Sequence, residues 1–244
     1  MRITIDATST LVRSAGVKNY TYHWITHLRR QTAAGEEIVY DQLVSTMPLP
    51  VLIRAMGDEV PEEVRKAAEG LRFTSVRCVN IGVGRANLTE KHWIYYPEDT
   101  VFHRIFVQGN ASPHCNPPGG FGLTCEITYG PLKPLPCDGE DLIRLCVRDL
   151  VRVGLIREDD PIWAANQVDM PYAYVVYDHD RPKNVQRIRS WLDRHGIHLA
   201  GRYSEWEYYN SDHAFLAGKK AAESAKAALV GRTEADTVRV PAHM

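Results

Sequence analysis

A chain of 244 residues, 44% hydrophobic and 24% charged, can bury a normal core as one large domain or two modest ones. A net charge of −1 leaves no electrostatic footprint for nucleic acid and no basic face for a membrane surface. The apolar runs fall far short of the about 20 residues a membrane helix needs, and the opening MRITIDATST has no signal-peptide core.

Ile3 and Ile5 alternate with polar residues, which predicts a short strand over 2–6. Tyr20, Trp24, Ile25 and Leu28 recur at helical spacing and predict a helix over 17–30, with Gly35 past its end. His23 and His27 lie four apart on it, a metal-compatible spacing, but no third ligand accompanies them. A short strand follows over 43–46, then a helical turn over 50–56. Pro61, Glu62 and Glu63 open the next helix and Gly70 closes it. Four strands come next without intervening helices, over 71–83, 93–96, 104–108 and 122–129. Strands in that order imply an antiparallel sheet with one buried face. SPHCNPPGG, residues 112–120, is loop.

Asp138 caps an amphipathic helix carrying Leu142, Cys146, Leu150 and Val153. A strand is expected over 162–169, and Asp178-His179-Asp180 reads as turn chemistry. Val185, Ile188, Trp191 and Leu192 mark a helix that Gly196 ends; residues 231–244 form a polar tail. The five cysteines, Cys78, Cys115, Cys125, Cys137 and Cys146, contain no Cys-x-x-Cys pair, so neither a disulfide framework nor a zinc knuckle is indicated. Reduced thiols in a cytoplasmic protein are the simplest reading. The expected fold class is α+β: an antiparallel sheet flanked by helices, plus a partial α/β layer built from the chain ends.

Chemistry concentrates in Gly196 to Gly218. A strand over 197–200 breaks at Gly201-Arg202, crosses a loop with Trp206, Tyr208, Tyr209 and Asn210, and restarts as a helix near Ser211 or Asp212. A cap at Ser211 or Asp212 would aim the positive end of the helix dipole back at the loop, which suits an anion or an electron-rich ring.

GRYSEWEYYNSDHAFLAG resembles the C-terminal flavin-contacting motif of the UDP-galactopyranose mutases and of the related protoporphyrinogen-oxidase and amine-oxidase-like FAD proteins. Ala173 to Asp178, with Asn184 after it, is similar to the mutases' Tyr-Tyr-Pro-Val-Asn-Asp run. Val175 stands where the mutases have Pro, and Asn210 where they have an acidic residue. The likeness runs from about 40 to about 228. It implies FAD contact by Gly201, Arg202, Asn210, Ser211 and Asp212, and diphosphate binding by Tyr174 and Tyr208, with Arg104 as a third phosphate candidate. In the mutases the flavin attacks a sugar's anomeric carbon; in the oxidases it takes a hydride. The plainer readings are that Arg202 pairs with Glu205 or Glu207, that Ser211 merely caps, that the tyrosines are core-edge aromatics, and that Arg104 is solvated. No catalytic residue can be named.

No Gly-x-Gly-x-x-Gly turn is present; Gly82-Val83-Gly84 ends a strand, but Asn87 stands in the third glycine's place and no helix is expected after it. The resemblance therefore implies a flavoprotein's cap sheet and closing strand–helix without its nucleotide-binding start, and weak or absent FAD binding by this chain alone. Gly16-Val17-Lys18-Asn19-Tyr20 is similar to the opening loop of GT-B glycosyltransferases. The expected division is a glycosyltransferase-like opening over 1–37, the flavoprotein part over 38–230, and the tail over 231–244. Alternatives to the incomplete flavoprotein are a glycosyltransferase fragment and a non-catalytic domain completing a partner subunit. The expected partners are a nucleotide sugar or small molecule and, beyond it, a second copy or a partner subunit, with neither nucleic acid nor membrane.

Overall fold

The computed structural model describes residues 40–230 apart from Glu98 and the side chain of Pro113. The strand expected over 2–6, the helix over 17–30 with His23 and His27, the Gly16 to Tyr20 loop and the tail from 231 lie outside these residues. In chain order the elements are β1 (Leu43–Ser45), α1 (Leu49–Ala55), α2 (Glu62–Glu69), β2 (Phe73–Val83), β3 (Trp93–Tyr95), β4 (Arg104–Phe106), β5 (Phe121–Tyr129), α3 (Gly139–Arg152), β6 (Ile162–Val175), α4 (Arg181–Asp193), β7 (Ile197–Leu199) and α5 (Ser211–Val230). The class is α+β as expected. Among the described residues the chain divides into two compact units, one of 40–73 with 174–230 and one of 74–173.

The 74–173 unit is built on a five-stranded sheet, ordered β3-β4-β5-β2-β6. Its β2–β5, β3–β4 and β4–β5 pairs are antiparallel. Alternation along the strands separates the two faces. Val79, Ile81, Val83, Ile105, Leu123, Cys125 and Ile127 share a buried cluster with Leu142, Cys146 and Leu150 of α3. Asp138 caps α3, accepting from the Gly139 N–H at 2.7 Å. β6 runs six residues past the expected end. Pro171 lies within β6, which is an edge strand among the described residues, the place in a sheet where proline is tolerated. Its carbonyl accepts from the Ser75 hydroxyl at 2.8 Å.

Gly82-Val83-Gly84 also finds its explanation here. Val83 pairs with Phe121 at the end of β2. A Cβ on Gly84 would sit 2.3 Å from Trp163 Nε1, and one on Gly120 would sit 2.6 Å from the same ring. The glycines seat an indole, and no helix follows β2.

In the other unit β1 and β7 pair in parallel, Leu43 opposite Ile197. Two short parallel strands are marginal alone. α5 lies against both, and its two buried residues are the small ones, Ala217 and Ala221. α2 packs on α4, with Val64 and Ala67 on one side and Val185, Ile188 and Leu192 on the other buried. A Cβ on Gly70 would lie 2.8 Å from the Asn184 amide, so a glycine there permits this approach.

Candidate functional site

β7 ends at Leu199, and the Ala200 N–H still bonds to Ser45. Gly201 then turns the chain at φ +94°, a value side-chain-bearing residues rarely adopt. Two tight turns follow, Glu205 N–H to the Gly201 carbonyl and Glu207 N–H to the Arg202 carbonyl, both 2.9 Å. The Ser204 hydroxyl ties the loop back to Ser45 at 2.7 Å.

Trp206 is the loop's anchor. It is fully buried, meets Phe73 edge-on at 6.1 Å, and has φ +56°. A non-glycine residue there costs about 1–3 kcal/mol. Burying roughly 200 Å² of indole at roughly 25 cal/mol per Å² returns about 5 kcal/mol, so burial wins.

Beyond this anchor the rings turn outward. Tyr208 is 53% exposed, and its ring lies parallel to that of half-buried Tyr174, centroids 6.1 Å apart and planes 17° apart. The Arg202 guanidinium sits 4.3 Å above the Tyr208 ring and 5.6 Å from the Tyr174 ring, and donates to the Tyr209 carbonyl at 3.0 Å. The carboxylates offered to Arg202 in the plainer reading are held by other arginines. Glu205 is 3.4 Å from Arg189 and Glu207 2.5 Å from Arg181.

α5 begins at Ser211, and its first internal bond runs from the Ala214 N–H to the Asn210 carbonyl. This corrects the expected cap: Asn210 holds the capping place, while Ser211 and Asp212 are exposed first-turn residues. Tyr209 stacks on His213, 5.7 Å between centroids. The loop of this unit thus gathers Tyr174, Gly201, Arg202, Tyr208, Asn210, Ser211 and Asp212.

Arg104 belongs to the other unit and is not solvated. Its guanidinium is bonded to Glu126, opposite it in the β4–β5 register, and lies 4.5 Å from the Trp93 ring. Trp93 in turn stacks on Phe106 at 4.3 Å. That fork is closed on a buried carboxylate.

Tyr177, Arg181 and Glu207 are site residues that sequence reasoning missed. The Tyr177 hydroxyl donates to Glu207 at 2.7 Å and accepts from the Tyr208 N–H at 2.8 Å. Burial first, and the Glu207 carboxylate second, push its pKa above the usual phenol value, which keeps the donor proton in place. The Arg181 guanidinium lies 4.2 Å from the Tyr177 ring and donates from Nε and Nη2 to the Trp206 carbonyl.

The sequence model of the family "Flavin containing amine oxidoreductase" matches residues 25–225. The chain belongs to the flavin-containing amine oxidoreductase family. No curated protein matches the sequence. Among solved structures, a reduced UDP-galactopyranose mutase superposes with TM-score 0.71 at 26% identity, over 82% of this chain and 43% of its own. A protein described as a protoporphyrinogen oxidase from Exiguobacterium sp. 255-15 gives 0.64 at 16% identity, over 80% and 43%. A fatty acid isomerase from P. acnes gives 0.51 at 12%, over 82% and 44%. The last two share the fold alone. This amine oxidoreductase family chain spans less than half the length of the solved structures it matches.

The family's flavin finds a partial fit in these residues. The Gly201 Cβ position has nothing within 4 Å, so the backbone at this turn has open space beside it. The N–H groups of the exposed α5 first turn add donors suited to an electron-rich ring edge. The pyrophosphate finds no such cradle among the described residues, since Gly84 is filled by Trp163. No helix among the described residues is long and apolar enough to cross a membrane.

Proposed function

We propose that the Gly201 to Asp212 loop of this flavoprotein family chain serves a flavin-dependent reaction on a nucleotide sugar, and that Arg202, Tyr174 and Tyr208 receive its diphosphate. The observation that carries this reading is the exposed Tyr208 ring lying parallel to half-buried Tyr174 with the Arg202 guanidinium over it. Two phenolic hydroxyls can donate to phosphate oxygens without adding charge, and the nearby guanidinium supplies it. The similarity to a UDP-galactopyranose mutase supports the choice of ligand class.

Bound flavin would supply the ring that exchanges electrons or attacks carbon. The chain's share is electrostatic and positional. The N–H groups at Ser211 and Asp212 oppose negative charge at the ring's edge, while Arg202, which the resemblance put beside the flavin, is assigned to the diphosphate. Asn210, neutral where the mutases are acidic, adds none. Tyr174 and Tyr208 hold the diphosphate so that the sugar lies within reach. The same reading expects weak FAD retention by the 244-residue chain, because no Gly-x-Gly-x-x-Gly turn is present in it.

The test is gel filtration after incubation with FAD, read by flavin absorbance, alongside UDP titration. Saturable UDP binding with little retained flavin is expected. Stoichiometric flavin retention would contradict the weak-binding claim, and absence of UDP binding would contradict the substrate claim.

A further inference from the structure

Tyr208 is over half exposed, yet the residues before it are held with unusual completeness. The Trp206 carbonyl takes both Arg181 nitrogens. The Glu207 carboxylate takes Arg181 on one oxygen, at 2.5 Å, and the Tyr177 hydroxyl on the other, at 2.7 Å. The Tyr208 N–H ends on the Tyr177 hydroxyl at 2.8 Å. Arg181 is itself buried, its own N–H is bonded to Asp178 at 2.8 Å, and it begins α4, so the anchor is rigid. Three consecutive residues are therefore held by two side chains, Trp206 and Glu207 by Arg181 at the start of α4 and Tyr208 by Tyr177 just before it, and a left-handed tryptophan is kept in place.

An exposed tyrosine that is only a surface residue needs none of this. Ordering the backbone around it costs about 1–2 kcal/mol per residue, and the gain is a ring held parallel to Tyr174 under Arg202. We infer that Tyr177, acting with Arg181 and Glu207, is a positioning residue that sets the direction of Tyr208 for a diphosphate-bearing ligand. The inference rests on the reading of Tyr208 as a diphosphate contact and adds the device that aims it. Tyr177 does not touch the ligand; it acts through the Tyr208 N–H and the Glu207 carboxylate. The ring of Tyr177 is separately held by the Arg181 guanidinium, so removing the hydroxyl alone leaves that packing in place.

The experiment uses the full chain, its Tyr177→Phe and Tyr208→Phe variants and the double variant. Amide hydrogen exchange by NMR is read without ligand, and UDP affinity by calorimetry. The Tyr208 amide, though on an exposed residue, should be protected in the parent chain. In Tyr177→Phe it should exchange at least about 5-fold faster, with β2 and β5 amides unchanged. UDP affinity should fall about 5-fold in Tyr177→Phe and should fall no further when Tyr177→Phe is added to Tyr208→Phe. Unchanged Tyr208 exchange in Tyr177→Phe overturns the inference, as do unchanged UDP affinity in a binding-competent parent and additive losses in the double variant. A parent that shows the exchange result but binds no UDP sinks the diphosphate reading and leaves the hydrogen-bonded device standing.

Discussion

Among the described residues three arginines lie against aromatic rings, and two of them, Arg104 and Arg202, meet different surroundings. Arg104 lies 4.5 Å from Trp93 and 5.6 Å from Tyr95, and its fork ends on Glu126, which the sheet buries. Arg202 lies 4.3 Å over Tyr208, while Glu205 and Glu207 beside it in sequence are held by Arg189 and Arg181. The first cluster is a finished part of a sheet face. The second sets a half-buried guanidinium over the exposed Tyr208 ring, with Glu207 held by Arg181.

The largest expected effect breaks the first cluster. Glu126→Ala strands the Arg104 guanidinium in a mostly buried place and should cost about 3 kcal/mol, read by chemical denaturation. Arg202→Ala tests the other side of the comparison. It removes a cation–π contact at a partly open site and should cost only about 1 kcal/mol of stability, while UDP affinity falls about 10-fold or more. A stability loss as large as that of Glu126→Ala would make Arg202 a structural residue like Arg104.

Another ion pair, in the 74–173 unit, should respond to acid. Arg85 grips Asp160 through two bonds of 2.6 and 2.7 Å, and the Arg157 N–H adds a third at 2.7 Å. The Arg85 bonds first, and the Arg157 N–H second, hold the Asp160 carboxyl at about 2. A depressed carboxyl pKa stabilises the fold above the unfolded value of about 4, and this support disappears as pH falls from there through about 2. Asp160 carboxyl shifts followed by NMR should show that midpoint; one near 4 would mean the clasp is open.

The smallest effect separates sheet interior from surface. Burial pushes the Cys78 thiol up to about 12, whereas Cys115 is exposed. At pH 8 iodoacetamide should label Cys115 and leave Cys78 unmodified in the folded chain. Equal labelling would mean that the sheet opens readily.

Much of the fold was legible because its signals are local. Leu142, Cys146 and Leu150 declare α3 by spacing, Asp138 its start, and alternating Leu123, Cys125 and Ile127 the buried face of β5. β6 outran its expected end at 169 because its length is set by its place beside β2, a property of the sheet and not of the strand. At the site, Arg202, Tyr174 and Tyr208 stood out by residue type and resemblance. Tyr177, Arg181 and Glu207 did not, because their bonds join positions 25 to 31 residues apart and no periodicity reports them. The buried left-handed Trp206 was equally silent, since nothing local to tryptophan favours that conformation.

Calorimetric titration of UDP into the full chain and its Arg202→Ala and Tyr208→Phe variants tests the central claim most directly. The account predicts saturable binding by the parent, about 10-fold weaker binding by Arg202→Ala and about 5-fold weaker binding by Tyr208→Phe, with all three chains folded. Binding of equal strength in all three, or none in the parent, would contradict it.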